Sequence, residues 1–208
     1  MEIKAVIFDI DGVLVDSFDA NLKFIQDIFK KKGRKPITRS QYEKRGFNLP
    51  LKDVIRVFGQ CKNEKEVEET FLLVNKVKYP NYLYKFPKNL QGIIKKISKS
   101  YKLAIVTSRV KRGVDEVLQS SKTKKYFPIM VYYGQYKNPK PSPEPLLLAA
   151  KRLKIKPQEA VYIGDSFTDI QAAKAAGMKM ILFSKNKMKG ADLTTNRFAD
   201  LPKLIATL

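Results

Sequence analysis

The stretch Lys4-Ala5-Val6-Ile7-Phe8-Asp9-Ile10-Asp11-Gly12 decides how the chain is read. Its first half is a short apolar run rich in β-branched residues and closed by an acid, the pattern of a strand buried on both faces of a sheet. Its second half sets Asp9 and Asp11 at the carboxyl end of that strand, with Gly12 beside them to let the backbone turn sharply. Like charges crowded at a strand end repel, so they persist where a cation or a chemical role compensates. A turn that happens to use Asp and Gly is the other reading of the same residues.

Further along, three runs repeat the first: Leu103-Ala104-Ile105-Val106 before Thr107, Ala160-Val161-Tyr162-Ile163 before Gly164-Asp165, and Met180-Ile181-Leu182-Phe183 before Ser184. Residues 129–132 form a weaker one. Helical patterns lie between them, over residues 90–98, 110–119, 143–153 and 168–176, the last closed by Gly177. Strand and helix therefore alternate from about residue 87, which predicts a Rossmann-like, doubly wound α/β fold with ligands bound at the carboxyl ends of a parallel sheet. Asp9, Thr107 and Asp165 all fall at such ends.

Between residues 17 and 86 the pattern changes to helices without strands. Leu22, Ile25, Ile28 and Phe29 make one apolar stripe ending near Gly33, and Val67, Phe71, Val74 and Val77 make another. Ser40-Gln41-Tyr42-Glu43 has the spacing of a capping box. Tyr79-Pro80-Asn81-Tyr82 and Phe86-Pro87 break the helical run. The expected organisation is an α/β core of residues 1–16 and 87–208 with a helical insertion, 17–86.

Composition narrows the chemistry. With 208 residues the chain can bury a proper core as one domain carrying an insertion. No apolar run reaches the length of a membrane span, and the run before Asp9 has no basic leader, so a soluble cytoplasmic protein is expected. Cys61 is the lone cysteine and histidine is absent, which leaves carboxylates, hydroxyls and lysines to do any chemistry. The net charge of +21 favours anionic partners. The lysines are scattered rather than gathered in one stripe, so a specific nucleic-acid site is not expected.

Asp165 adds a third strand-end carboxylate, within Gly164-Asp165-Ser166-Phe167-Thr168-Asp169. With Asp9 and a backbone carbonyl it can complete a hard oxygen site for Mg²⁺. Asp169 falls in the first turn of a helix, where the macrodipole favours an acid whatever else it does, and it ranks second. Thr107 alone reads better as a hydroxyl satisfying local backbone, and Lys140 as one more surface lysine.

Taken in order, Asp9-Ile10-Asp11-Gly12, Thr107 at a strand end, Lys140 in Pro139-Lys140-Pro141-Ser142-Pro143, and Gly164 to Asp169 resemble the four motifs of the haloacid dehalogenase-like phosphatases. The resemblance covers nearly the whole chain, and the insertion is similar to the helical cap of the subgroup that includes phosphoglycolate phosphatase and β-phosphoglucomutase. It implies that Asp9 is the nucleophile that forms an acyl phosphate and that Asp11 is the general acid and base. It also implies that Thr107, Ser108 and Lys140 bind phosphate, and that Mg²⁺ is held by Asp9, the Asp11 carbonyl and Asp165.

Asp11 points to phosphate esters within that family. Gly164 stands where mutase-like members carry a glutamate, so hydrolysis is expected over isomerisation. The implied substrate is a small anionic phosphorylated metabolite, with nucleotide, pyrophosphate and sugar phosphates as alternatives, and a non-enzymatic basic scaffold as the competing class. Arg45-Gly46-Phe47-Asn48-Leu49 resembles the cap loop that contacts substrate, Arg45 and Gly46 being the residues singled out; an ordinary helix-to-helix turn is the alternative. Arg109 reads as a surface residue.

Overall fold

The run before Asp9 forms strand β1 (Ala5–Phe8), every residue of which is buried. The computed structural model describes residues 2–47 and 49–208 and divides into two units, Met1–Asp16 with Lys85–Leu208, and Ser17–Tyr84. After β1 the chain makes a tight loop in which the amides of Val13, Leu14 and Val15 all donate to the Ile10 carbonyl. Gly12 sits there at φ +74°, a conformation that costs glycine nothing. The Asp16 amide then donates to the Lys85 carbonyl at 2.8 Å and the Lys85 amide to the Asp16 carbonyl at 3.1 Å. The chain therefore leaves and re-enters the sheet unit through two paired segments.

The helical unit holds α1 (Phe18–Lys31), α2 (Arg39–Gln41), α3 (Leu51–Phe58) and α4 (Glu64–Phe71). The expected stripe of Leu22, Ile25, Ile28 and Phe29 is buried and packs with Ile37, Val54, Ile55, Val67 and Val77. Arg34 ties the same unit together from its loop, donating to the Gly59 carbonyl at 2.5 Å and to Glu66 at 2.7 Å. The capping box is not the expected one. Thr38 is the cap: its Oγ1 accepts from the Gln41 amide and the Gln41 side chain accepts from the Thr38 amide, so Ser40 is already inside the helix. Helix α2 runs on into a π-helical turn, Tyr42–Gly46. The second stripe is divided, since α4 gives way to a 3-10 turn at Leu72–Asn75, and α3 lies where the sequence reading placed no element.

The sheet unit continues with α5 (Leu90–Ile97), β2 (Lys102–Val106), α6 (Lys111–Ser120), β3 (Ile129–Val131), α7 (Glu144–Leu153), β4 (Ala160–Gly164), α8 (Phe167–Ala176), β5 (Lys179–Phe183), β6 (Leu193–Thr195) and α9 (Leu201–Ile205). Among the described residues the strands form one parallel sheet in the order β3-β2-β1-β4-β5-β6. The order reverses at β1 and β4, which opens a crevice beyond their carboxyl ends.

Ala5, Ile7, Ala104, Val106, Ala160 and Tyr162 share one core cluster with Leu146, Ala149, Ala172 and Ala173 of α7 and α8. The alanines let those helices approach the sheet closely. Alternate residues belong to the other face, where the Phe8 ring meets Phe127 edge-on at 5.9 Å. Truncating a fully buried side chain such as Leu146 to alanine costs about 2–5 kcal/mol. Helix α8 opens on a capping box between Ser166 and Asp169 and closes on Gly177 in the left-handed region. Among the described residues no helix is long and apolar enough to cross a membrane.

Candidate active site

Strand register brings the strand-end residues together. Phe8 is level with Ile105 on one side and Ile163 on the other, so Asp9, Thr107 and Asp165 emerge at the same end of adjacent strands. The Asp9 amide still donates to the Ile163 carbonyl at 2.9 Å, and that of Thr107 to the Val131 carbonyl at 3.0 Å. Both residues are buried and held by the ladder itself.

Lys140 lies at the centre of the cluster. Its ammonium donates to Asp9 Oδ2 at 2.7 Å, to Asp169 Oδ1 at 2.6 Å and to the Tyr162 hydroxyl at 2.9 Å, three acceptors for three N–H bonds. The other Asp9 oxygen accepts from the Ile10 amide at 2.6 Å. Burial pushes the Asp9 carboxyl up to about 6, against the pull of the Lys140 charge and with the push of Asp169. Burial also opposes the Lys140 charge, but Asp9, Tyr162 and Asp169 outweigh it and hold the ammonium well above its ordinary range.

Asp169 is fully buried and both of its oxygens are occupied. Oδ1 accepts from Lys140 and from Tyr162 at 3.0 Å; Oδ2 accepts from the Ser166 hydroxyl at 2.6 Å and from the amides of Asp165 and Ser166 at 3.2 and 3.1 Å. Burial raises its pKa, and Lys140 with these hydrogen bonds reverses that and holds it below the usual range. It is thus an anchor for Lys140 as well as part of a helix cap.

Asp9, Asp165 and Asp169 each offer an oxygen within 4.8 Å of the others. Asp169 has its lone pairs committed, so the free donor set is Asp9 and Asp165. Among the described residues nothing donates a hydrogen bond to the Asp165 carboxylate, and burial followed by the charges of Asp9 and Asp169 keeps its pKa well above the usual range. Carboxylate oxygens crowded in this way, with one left without a donor, suit a hard divalent cation such as Mg²⁺. Gly12 permits the approach, since a Cβ at that position would lie 1.8 Å from Asp165 Oδ2.

Asp11 corrects one expectation. Arg109 is no surface residue: its side chain is 10% exposed and grips Asp11 with both arms of the guanidinium, Nε to Oδ2 at 2.8 Å and Nη2 to Oδ1 at 2.6 Å. The pair spans the first and second motifs, a contact that no local pattern announces.

Thr107 Oγ1 accepts from the Arg109 amide at 3.2 Å, the local role weighed above, and its own O–H is a donor in addition. Ser108 is exposed beside it. Tyr136, which the sequence reading passed over, donates from its hydroxyl to the Thr107 carbonyl at 3.2 Å; burial raises its pKa, with the Ser108 side chain working the other way. Tyr162 was also missed as a polar group because it sits inside an apolar strand. A buried tyrosine usually finds a partner for its hydroxyl, and a tyrosine inside an apolar strand run was the available signal. Arg45 and Gly46 belong to the helical unit: Arg45 is exposed with its guanidinium 6.0 Å from the Phe58 ring, and Gly46 lies against the Tyr42 ring. Asn48 of the same segment lies outside the described residues.

Fold and site together define an α/β enzyme with its polar cluster at the strand-order reversal. The family model for haloacid dehalogenase-like hydrolases matches residues 6–183. A phosphorylated carbohydrates phosphatase of Thermotoga maritima is 31% identical over 86% of this chain and 83% of that protein. A phosphoglycolate phosphatase of Aquifex aeolicus is 29% identical over 97% of this chain and 96% of its own. A solved structure of a HAD-superfamily hydrolase of subfamily IA from Geobacter sulfurreducens superposes with a TM-score of 0.78, at 29% identity, over 97% of this chain and 99% of that one. The chain belongs to the haloacid dehalogenase-like hydrolases.

Proposed function

We propose that this hydrolase cleaves a small phosphomonoester in two steps through an aspartyl phosphate on Asp9. The observation that carries the reading is the 2.7 Å contact of Lys140 with a buried strand-end Asp9, because it gives one carboxylate a fixed direction and a cation beside it. Asp9 and Asp11 stand in different environments, the first buried, the second 31% exposed at the rim.

In the first step an Asp9 oxygen attacks phosphorus, the ester P–O bond breaks, and Asp11 gives its proton to the departing alkoxide. The Thr107 hydroxyl, with Ser108, meets the phosphoryl oxygens as charge moves onto them, and the Lys140 ammonium, its N–H bonds committed to Asp9, Asp169 and Tyr162, offsets that charge from beside Asp9. In the second step Asp11, now a carboxylate, takes a proton from water as the water attacks the acyl phosphate. Phosphate leaves and Asp9 is restored. Asp9, the Asp11 carbonyl and Asp165 would hold Mg²⁺, which supplies positive charge against the substrate phosphate when bound.

Residues 17–84 then serve as a cap that selects the substrate, with Arg45 and Gly46 as its contributors. The relatives' names point to phosphoglycolate or a phosphorylated carbohydrate as the class of substrate. A panel of such metabolites assayed with Mg²⁺ separates these.

The mechanism is tested by quenching turnover of an aryl phosphate in acid and mapping phosphate on the protein by mass spectrometry. The expected result is label on Asp9 in the wild type, none in Asp9→Asn, and slowed formation and decay in Asp11→Asn. Undiminished turnover by Asp9→Asn would sink the reading.

A further inference from the structure

Arg109 enters no part of the mechanism above, yet it holds the residue on which both proton transfers depend. We propose that Arg109 is the positioning residue of Asp11, fixing the direction in which that carboxylate meets the leaving oxygen and the attacking water. The inference rests on Asp11 being the general acid and base.

The geometry is that of a clamp built on a fixed base. The Arg109 backbone is tied on both sides, its amide to Thr107 Oγ1 at 3.2 Å and its carbonyl to the Tyr133 amide at 2.8 Å. On the other partner, the loop amides that converge on the Ile10 carbonyl hold the backbone around Asp11. A rigid backbone leaves the side-chain torsions of an aspartate undetermined, and here the two parallel N–H bonds of 2.8 and 2.6 Å determine them.

The chemistry of the fork suits this task. A carboxylate has roughly four lone-pair sites and a bidentate guanidinium uses two, so the grip by itself does not bar a proton from the carboxylate. Arginine has donors only and keeps its proton, so it restrains Asp11 without entering the transfer. Arg109 is 10% exposed and Asp11 31%, so water reaching Asp11 screens what the bidentate pair gives the fold, whereas an error of about 1 Å in the placing of a reacting group costs on the order of 10²-fold in rate. The contact should therefore act on catalysis far more than on folding.

The test compares the wild type, Arg109→Ala, Arg109→Lys, Asp11→Asn and the Asp11→Asn/Arg109→Ala double variant, with Mg²⁺, on an aryl and an alkyl phosphate. Expected for Arg109→Ala is a kcat loss of roughly 10²-fold on the alkyl ester and a several-fold smaller one on the aryl ester, whose leaving group needs less protonation. In the Asp11→Asn background the same change should cost less than about threefold, since little is left to position. Arg109→Lys keeps the charge without the fork and should fall between. Guanidinium at tens of millimolar should restore part of the alkyl rate to Arg109→Ala and nothing to Asp11→Asn. If the alanine variant does not fold, the lysine variant carries the comparison with the same dependence on leaving group.

Equal losses on both esters, full additivity with Asp11→Asn, or a raised KM at unchanged kcat would overturn the proposal. The failure of the wider reading looks different. Asp11→Asn itself would then lose equally on both esters, and the assignment of Arg109 would fall with it.

Discussion

The Tyr162 hydroxyl, at the centre of a fully buried strand, accepts a hydrogen bond of 2.9 Å from the Lys140 ammonium. The same oxygen lies 3.0 Å from Asp169 Oδ1, so one phenol closes a ring of contacts beneath Asp9. Tyr162→Phe keeps the packing and leaves a buried N–H without its acceptor. The expected cost is about 1–3 kcal/mol, read as a lower urea midpoint at unchanged slope, together with a reduced kcat. An unmoved midpoint would show that Lys140 needs only its two carboxylates.

Asp165 stands against Asp9 and Asp169 with no hydrogen-bond donor of its own among the described residues, so its ionisation opposes folding when no cation is bound. Asp165→Asn should therefore raise the melting temperature in EDTA and abolish the rise that Mg²⁺ gives the wild type. That rise corresponds to about 2.7 kcal/mol at a hundredfold excess over Kd. Activity should disappear with EDTA in the wild type and stay absent in the variant. A variant that Mg²⁺ still stabilises would remove Asp165 from the ligand set.

Glu144, at the start of α7, folds back to accept from the amides of Lys137 and Asn138 at 2.7 and 2.9 Å, which shapes the loop leading to Lys140. These hydrogen bonds hold its pKa below the ordinary 4.5. A lowered folded value means that its contribution is fully present above about 4.5 and is lost as pH falls through the folded value. Glu144→Ala should speed hydrogen exchange at the Lys137 and Asn138 amides at neutral pH and lower kcat several-fold by loosening Lys140. Both exchange rates should converge with those of the wild type in acid. Identical exchange at pH 7 would show that the loop holds itself.

The paired segments at Asp16 and Lys85 make excision of the helical unit a local operation. Joining them through a short turn should leave a folded sheet unit, because among the described residues the hydrogen bonds that tie Asp9, Lys140, Tyr162 and Asp169 together lie within that unit. The shortened protein should keep some Mg²⁺-dependent turnover of an aryl phosphate and lose at least tenfold more of its kcat/KM on the preferred metabolite. A ratio unchanged from the intact enzyme would take substrate selection away from the helical unit, and from Arg45 and Gly46 with it.

Much of this molecule is legible along the chain because strand burial and helix periodicity are local. The runs ending at Asp9, Thr107 and Asp165 become β1, β2 and β4, and Gly177 ends its helix in the left-handed conformation expected of it. Strand β6 escaped because its three residues are only half-buried and carry two threonines, too short and too polar for an apolar run to show. The capping box was misplaced by two residues since Thr38 and Ser40 present the same chemistry, and only the backbone angles distinguish them. Tertiary structure alone decided the partnerships: Arg109 with Asp11 across 98 positions, Lys140 with Asp9 across 131, and the Tyr162 hydroxyl with Lys140 across 22. The physical reason is one of range. A residue's type and neighbours set its propensity and its burial, whereas the partner of a buried charge is whatever group the register of the sheet carries to within about 3 Å of it.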